Sequence, residues 1–562
     1  MTKFRVTLMT SVLLLPLGCG SESDAGGAVP GGGGVLSTGG NSGATNTGGK
    51  AGALGSGGAA GAGGATGSVP GGPPLTAPIV GCKDAERPAR RLPDAAELCE
   101  SKTRCWYVSP EGSDSGAGTF SSPYKTPQNA VRQAGPGDII YLRGGEYTEA
   151  NAYTGGKRPN LVRVGHAQLT SGKTYDVASG TEAAPIIVRS FPGERACSAG
   201  AGFISVGSLG SESAWWRFEN LTLREAGIFI GGGSSAETQT HDIVIVNNEV
   251  YGLAIAGGDN PGLIRINRGD FGGPTRISVE SNILHDLVPI DNSVVGSWDT
   301  TADAQHFGAV TTISCEEYLG IECGGTGSVQ IRNNHIYRVP QAFFFKNPSA
   351  GPYQIDGNVI HHTQRLGGWV ASNITFENNL IYEASGIGFG TGANYSGELF
   401  ERAGHSLTVR NNTFVGLNAL VSFKSYATGH TVRGNIIQGL ELSLTKDKTW
   451  DNVGYIAETI GSEITDVTKS QLASGNDFDD NCFVTSTEDF IAYGRRYSGG
   501  GGGLDHLSLT QTRDMLGYEL TSLVVTNPQN VFENFKNGDY RTSNGGACGT
   551  RGAAVPPWAN GL

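Results

Sequence analysis

The sequence is poor in methionine and in charge. It holds 3 Met and 16% charged residues in 562, unlike a coiled coil or a charge-rich helical bundle. No basic run offsets the net charge of −12, so the cationic surface that a nucleic-acid partner requires is missing. No apolar run is long enough for a stable membrane span. No Cys-x-x-Cys pair or Cys/His spacing suggests a zinc site. Residues 20–80 lack Phe, Trp and Tyr, and their charged groups are Glu22, Asp24 and Lys50. Such a stretch cannot bury enough apolar surface to offset its ordering entropy.

Glycine is abundant, with 88 residues, and 22 of these fall in residues 20–80. The absence of a Gly-X-Y period excludes collagen. The remaining chain still carries about twice the ordinary glycine share, which predicts many tight turns. A body of that length normally splits into domains, unless it grows along one axis as a solenoid.

The amino end reads as an export signal. Lys3 and Arg5 precede a short apolar core from Val6 to Leu17. Its end, Leu15-Pro16-Leu17-Gly18-Cys19, resembles the lipobox of bacterial lipoproteins, with Pro16 where that pattern has Leu. The resemblance implies lipidation at Cys19, and Gly20 after it implies the outer membrane. Setting Cys19 aside leaves eight cysteines, an even number suited to an oxidising compartment. Cys315 and Cys323 close a short Gly-containing loop and are expected to pair. Residues 20–80 then form a flexible tether with a reach on the order of 40 Å.

The body opens with Tyr107-Val108-Ser109-Pro110, Gly112 and Asp114, then Gly118-Thr119 and Ser122-Pro123. Thr126 and Pro127 predict a helix start, and Ala130, Val131 and Ala134 share one face. Gly135-Pro136-Gly137-Asp138 breaks the helix before an apolar strand, Ile139 to Leu142, and Gly145-Glu146-Tyr147. This order resembles the amino-terminal cap of right-handed parallel β-helix proteins, a superfamily that includes extracellular pectate, alginate and chondroitin lyases. Residues 184–194 resemble an early coil of the same group.

A repeat supports that reading independently. The pattern apolar, any, apolar, two residues, Asn, any, apolar occurs around Asn248, Asn282, Asn334, Asn358, Asn379 and Asn412, and more loosely around Asn435. The shortest spacings define a coil of about 21–24 residues, and such periods mark solenoids. Two-residue alternation places the apolar side chains inside. Asn tolerates left-handed backbone and caps neighbouring groups, so it suits a corner in each coil. The expected fold is an all-β right-handed parallel β-helix with a short amino-terminal capping helix. The expected organisation is a signal over 1–18, a tether over 19–80, the capped β-helix over 81–470, and C-terminal coils with a capping tail over 471–562. That tail, with Gly538-Asp539-Tyr540 and Cys548, is expected to cover the last coil, and second strands are expected at 253–255, 309–311, 342–345, 387–389 and 420–423.

Candidate chemistry follows from the coil frame. Lys346 and Lys424 stand twelve residues after Asn334 and Asn412, three coil steps or roughly 14 Å apart on one face. β-Helix lyases use a Lys or Arg beside such a face to remove the proton α to a uronate carboxylate, often with Ca²⁺ neutralising that carboxylate. Lys346 follows Phe343-Phe344-Phe345, whose apolar surroundings would lower its pKa. The largest insertion, between Asn282 and Asn334, carries Trp298, Asp299, Asp303, His306, Glu316 and Glu317. Trp298 offers a sugar platform, His306 a proton donor or substrate ligand, and Asp299 and Asp303 possible Ca²⁺ ligands. Arg265, Asn267 and Arg268 offer contacts to a carboxylate, provided that Ile264 and Ile266 face inward. Asp477, Asp479 and Asp480 read first as a turn and second as a Ca²⁺ cluster. The Glu-x-Glu…Lys, Asp-Asp-Gly, Asn-Thr-Asp and Gly-His-Gly motifs of particular β-helix enzyme groups are absent, so no family's catalytic set transfers. The expected activity is cleavage of an acidic polysaccharide by β-elimination, by a monomer at the cell envelope or secreted. The alternatives are a hydrolase with paired carboxylates and a non-catalytic glycan-binding or adhesive surface protein.

Overall fold

The computed structural model describes positions 81–83, 99 and most of 104–554; 1–80, 268–272, 290–307, 314–326, 347–350, 392–404, 440–454, 459–474 and 495–503 are among those it leaves out. The chain divides into Met1–Ser68 and Val69–Leu562, and every described residue belongs to the second unit. No helix among the described residues is long and apolar enough to cross a membrane.

Most coils contribute strands to three rows. The first row is a 12-stranded parallel sheet that runs from Cys105–Val108 to Asp477–Asp479. Its inward pairs, including Trp216/Phe218, Ile243/Ile245, Ile277/Val279, Val329/Ile331 and Ile374/Phe376, are buried and stack in register from coil to coil. Each such burial stabilises by roughly 1.5–3 kcal/mol. A short row follows the Asn corner, with members such as Thr222–Arg224, Glu249–Tyr251, Ile283–His285, Thr413–Val415 and Ile436–Gln438. A long row completes the coil with Gly262–Asn267, Gly308–Ile313, Ile387–Thr391 and Ala419–Lys424. In two coils the short and long rows merge into continuous strands, His335–Lys346 and Val359–Trp369. This is the right-handed parallel β-helix expected from the repeat.

The Asn positions form a buried ladder. In each coil from Asn248 to Asn435, the backbone N–H and side-chain amide donate to the next Asn Oδ1 at 2.9–3.1 Å. The amide also donates to a first-row carbonyl. Asn481 extends the ladder by one coil, and its side chain donates to the Glu519 carboxylate. The left-handed residue is not the ladder Asn itself but the one before it: Asn247, Ser281, Asn333, Asn378, Asn411 and Asp480 have φ between 54 and 58° or close to it, at 53° for Asn333. A second left-handed corner lies four residues after each ladder position from Asn248 to Asn435, at Gly252, Asp286, Arg338, His362, Glu383, Gly416 and Gly439.

The ends are closed differently. The amino end carries the expected helix, Pro127–Gln133, with Ala130, Val131 and Ala134 in the core. Asp114 accepts bonds from the Lys125 and Thr126 backbone, and Asp138 from Arg104, Trp106 and the Gly135 backbone. Any side chain at Gly112 would meet the Tyr124 carbonyl, because a Cβ there lies 2.3 Å from that oxygen. At the carboxyl end, the strand pair Ile491–Gly494 and Leu504–Leu507 and the helix Leu509–Leu516 bring Leu507 and Leu509 into the core. Phe532, Phe535, Tyr540 and Cys548 of the tail lie along the short row, against Val359, Leu380, Val415, Ile436 and Cys482.

One expectation is corrected. Among the described residues, 254–255 pair with Val288–Pro289, outside the long row, because Gly262–Asn267 takes that place in the coil. Disulfides join Cys82–Cys197, Cys99–Cys105 and Cys482–Cys548, whereas Cys315 and Cys323 lie outside the described residues.

Candidate functional site

The long row sets the first candidate surface. Register runs unbroken through Ile266, Thr312, Phe345, Trp369, Thr391 and Phe423. One residue further along, Asn267, Ile313 and Lys346 occupy successive coils, and Lys424 follows Phe423 in the same column. Lys346 and Lys424 are therefore three coil steps apart, about 14 Å, and Asn267 to Lys424 spans about 24 Å. Lys424 pairs in register with Glu458.

Burial alternates over residues 264–267, whereas Ala309 to Thr312 and Ala342 to Phe345 are buried throughout. Ile264 and Ile266 are fully buried. Arg265 is half-buried, donates to Asn267 Oδ1 at 2.9 Å, and holds its guanidinium 5.6 Å from the Phe229 ring centre. Arg268, Trp298, Asp299, Asp303 and His306 lie outside the described residues, and Lys346 and Lys424 are placed by their backbone alone. The insertion between Asn282 and Asn334 contributes Gly308–Ile313, the strand that separates Gly262–Asn267 from the strand of Lys346.

The short row carries a second cluster, which the sequence reading missed. Positions three residues after successive ladder Asn residues are Tyr251, His285, Tyr337, His361 and Tyr382. Their rings form a column with centroids 4.7–5.1 Å apart and planes within 10° of parallel. That spacing is the coil rise itself. Charged groups flank the column. Asp286 accepts from Arg338 at 2.6 and 2.7 Å and lies 2.8 Å from His285 Nδ1; Glu249 lies 3.3 Å from His285 Nε2. Burial opposes charge on His285, but the Asp286 and Glu249 carboxylates outweigh it and raise its pKa. His335 goes the other way: burial, with the charges of His285 and Arg338, pushes it down to about 3. His361 is held well below the ordinary histidine range, chiefly by burial. Burial thus holds His335 and His361 down, while the two carboxylates hold His285 up. The signal was present in the sequence as a Tyr/His alternation at a fixed offset from the ladder.

The acidic turn near the carboxyl end is committed to arginines. Asp477 accepts from Arg433 at 2.8 and 3.0 Å, Asp479 from the Thr521 backbone at 2.7 Å, and Asp480 from Arg551 at 2.5 Å. These bonds fit the turn reading.

Residues 309–504 match the family described as the right handed beta helix region. The chain is 40% identical over 88 residues to a pectate lyase, PEL9, of Emericella nidulans, a match covering 16% of each chain. It is 26% identical over 393 residues to pectate lyase L of Dickeya chrysanthemi, covering 64% of this chain and 83% of that one. The first of these matches thus spans about a sixth of its relative. Among solved structures, a lacto-N-biosidase of Eubacterium ramulus aligns with a TM-score of 0.43 at 13% identity, covering 75% of this chain and 68% of that one. The coil architecture and the matched region describe a right-handed parallel β-helix protein, similar in sequence to two pectate lyases.

Proposed function

We propose that this protein is an extracellular lyase that cleaves a uronate-containing polysaccharide by β-elimination. The observation that carries the reading is the register of the long row, which aligns Asn267, Lys346 and Lys424 along about 24 Å of one column. That length suits several sugar units lying along the solenoid. Lys346 is the base. It takes the proton α to the carboxylate, and the electron pair forms the new C=C bond. The bond to the glycosidic oxygen β to the carboxylate then breaks, and that oxygen takes a proton from His306 or water. Arg265 and Arg268 bind the carboxylate and hold negative charge as it develops. Asn267, Trp298 and Lys424 bind neighbouring sugars, and Ca²⁺ at Asp299 and Asp303 is a further candidate for neutralising the carboxylate. The protein acts as a monomer, lipidated at Cys19 and held at the outer membrane by the 20–80 tether.

The test is incubation of the full chain with uronate polymers, following ultraviolet absorbance of the unsaturated product and reducing ends in parallel. Both should rise together. Reducing ends without absorbance would replace the lyase by a hydrolase using paired carboxylates. Glycan binding with neither signal would replace it by an adhesive surface protein.

A further inference from the structure

We propose that His361, His362 and Glu383 form a site for a divalent transition-metal cation of the zinc class, set into the flank of the β-helix. One donor atom from each lies within 4.8 Å of the others, the one such group among the described residues. The positions are built by the coil repeat. His361 is the third residue after ladder Asn358, while His362 and Glu383 occupy the same corner in successive coils, four residues after Asn358 and Asn379. Both corner residues are left-handed, at φ 50 and 51°, as are Asp286 and Arg338 in the two coils before them, while Gly416 and Gly439 take the corner in the two coils after. Side chains are thus kept where the backbone favours glycine.

The contacts are those of converging ligand atoms. His361 Nδ1 lies 2.5 Å from His362 Nδ1, and His361 Nε2 lies 2.8 Å from His335 Nε2. In each pair of ring nitrogens at least one presents a lone pair. Glu383 Oε2 lies 2.8 Å from His362 Nε2, yet the contact lacks hydrogen-bond geometry and this buried oxygen receives no other donor. A cation between these groups would use those lone pairs directly.

The donor set selects the ion. Two imidazoles and one carboxylate suit Zn²⁺ and its neighbours, whereas Ca²⁺ and Mg²⁺ prefer all-oxygen shells. Three protein ligands leave a coordination position open to water or an exogenous group. The site is reachable, because the His362 and Glu383 side chains are 10% and 16% exposed. It is also held. His361 is clamped between the Tyr337 and Tyr382 rings, and Tyr382 touches Tyr540 of the carboxyl tail at 5.3 Å. Bound metal would therefore join two coils and brace the surface on which the tail docks. The site lies on the short row, so its existence does not depend on the proposed lyase activity.

The experiment is calorimetric titration of the chelator-stripped full chain with Zn²⁺, with Co²⁺ absorption as a spectroscopic check on the ligand set. The expected result is one equivalent bound, with a visible Co²⁺ spectrum of nitrogen–oxygen ligation and a rise in Tm. His362→Ala and the near-isosteric Glu383→Gln should each weaken binding by about 100-fold or more, since even second-shell changes cost 10–100-fold. His241→Asn, a histidine on the first row, should bind as wild type does. The proposal is overturned if the folded wild-type chain takes up no stoichiometric metal. It is equally overturned if folded Glu383→Gln binds like wild type, or if His241→Asn loses binding to the same extent.

Discussion

At the residue scale, the ladder asparagines tie the coils together, and Asn379 illustrates the cost of losing one. Its Oδ1 accepts from both the backbone and side chain of Asn358, while its amide donates to the carbonyls of Ile355 and Glu377 and to Asn412 Oδ1. Asn379→Ala leaves several buried groups unpaired at once, so a loss of about 2–4 kcal/mol is expected, read from denaturant unfolding. The ladder was legible because it repeats at fixed distance from inward apolar pairs. The backbone detail was not. The residue that turns the corner precedes the Asn, and its side chain varies between Asn, Ser, Gly and Asp, so no single letter marks it. Glu194 supplies a pH test at the same scale. The Arg143 hydrogen bonds outweigh opposing desolvation and hold its carboxyl below the ordinary range. A depressed carboxylate contributes stability above its unfolded pKa near 4.3 and loses it as pH falls through the folded value. Glu194→Gln should therefore lower stability at pH 7 by about 1 kcal/mol. The gap from wild type should close in thermal melts below about pH 4, as the wild-type carboxylate protonates.

At the element scale, strands with strong apolar alternation were legible, and elements defined by what packs on their outer face were not. The short row has only three residues in many coils, such as Thr413–Val415 and Ile436–Gln438. Its outward positions read as ordinary polar or aromatic letters until the coils are stacked. Then the Tyr/His column and the His361–His362–Glu383 group emerge together. The tail shows the same limit. Tyr540 stood out in the sequence but Phe532 and Phe535 did not, and the partners of all three lie in strands from Val359 to Cys482. The Cys482–Cys548 disulfide closes a separation of 66 residues over this contact. Replacing both cysteines by serine is expected to cost about 2–4 kcal/mol. Limited proteolysis should then cut first between residues 526 and 554, leaving the first-row strands protected.

At the scale of the whole molecule, a solenoid separates stability from function. Its core is repeated in every coil, so insertions can be carried on one face without disturbing the stack. The low-complexity segment, the cap and the coil period were all readable because each is a pattern over many residues. The lyase reading rests on fewer positions. It depends on register along the long row, which the offset from the ladder anticipated for Lys346 and Lys424, and on an insertion whose residues had to be chosen by chemistry alone. Lys346 is the position on which that account turns, because a base at this column is what makes the surface a lyase rather than a glycan-binding face. The most direct measurement is the initial rate of unsaturated-product formation by the wild-type chain and by folded Lys346→Ala on the same uronate polymer. The account predicts measurable formation by wild type and a drop of about 10²–10⁴-fold in kcat for the variant. Formation at an unchanged rate by Lys346→Ala, or none by wild type on any uronate polymer, would contradict it.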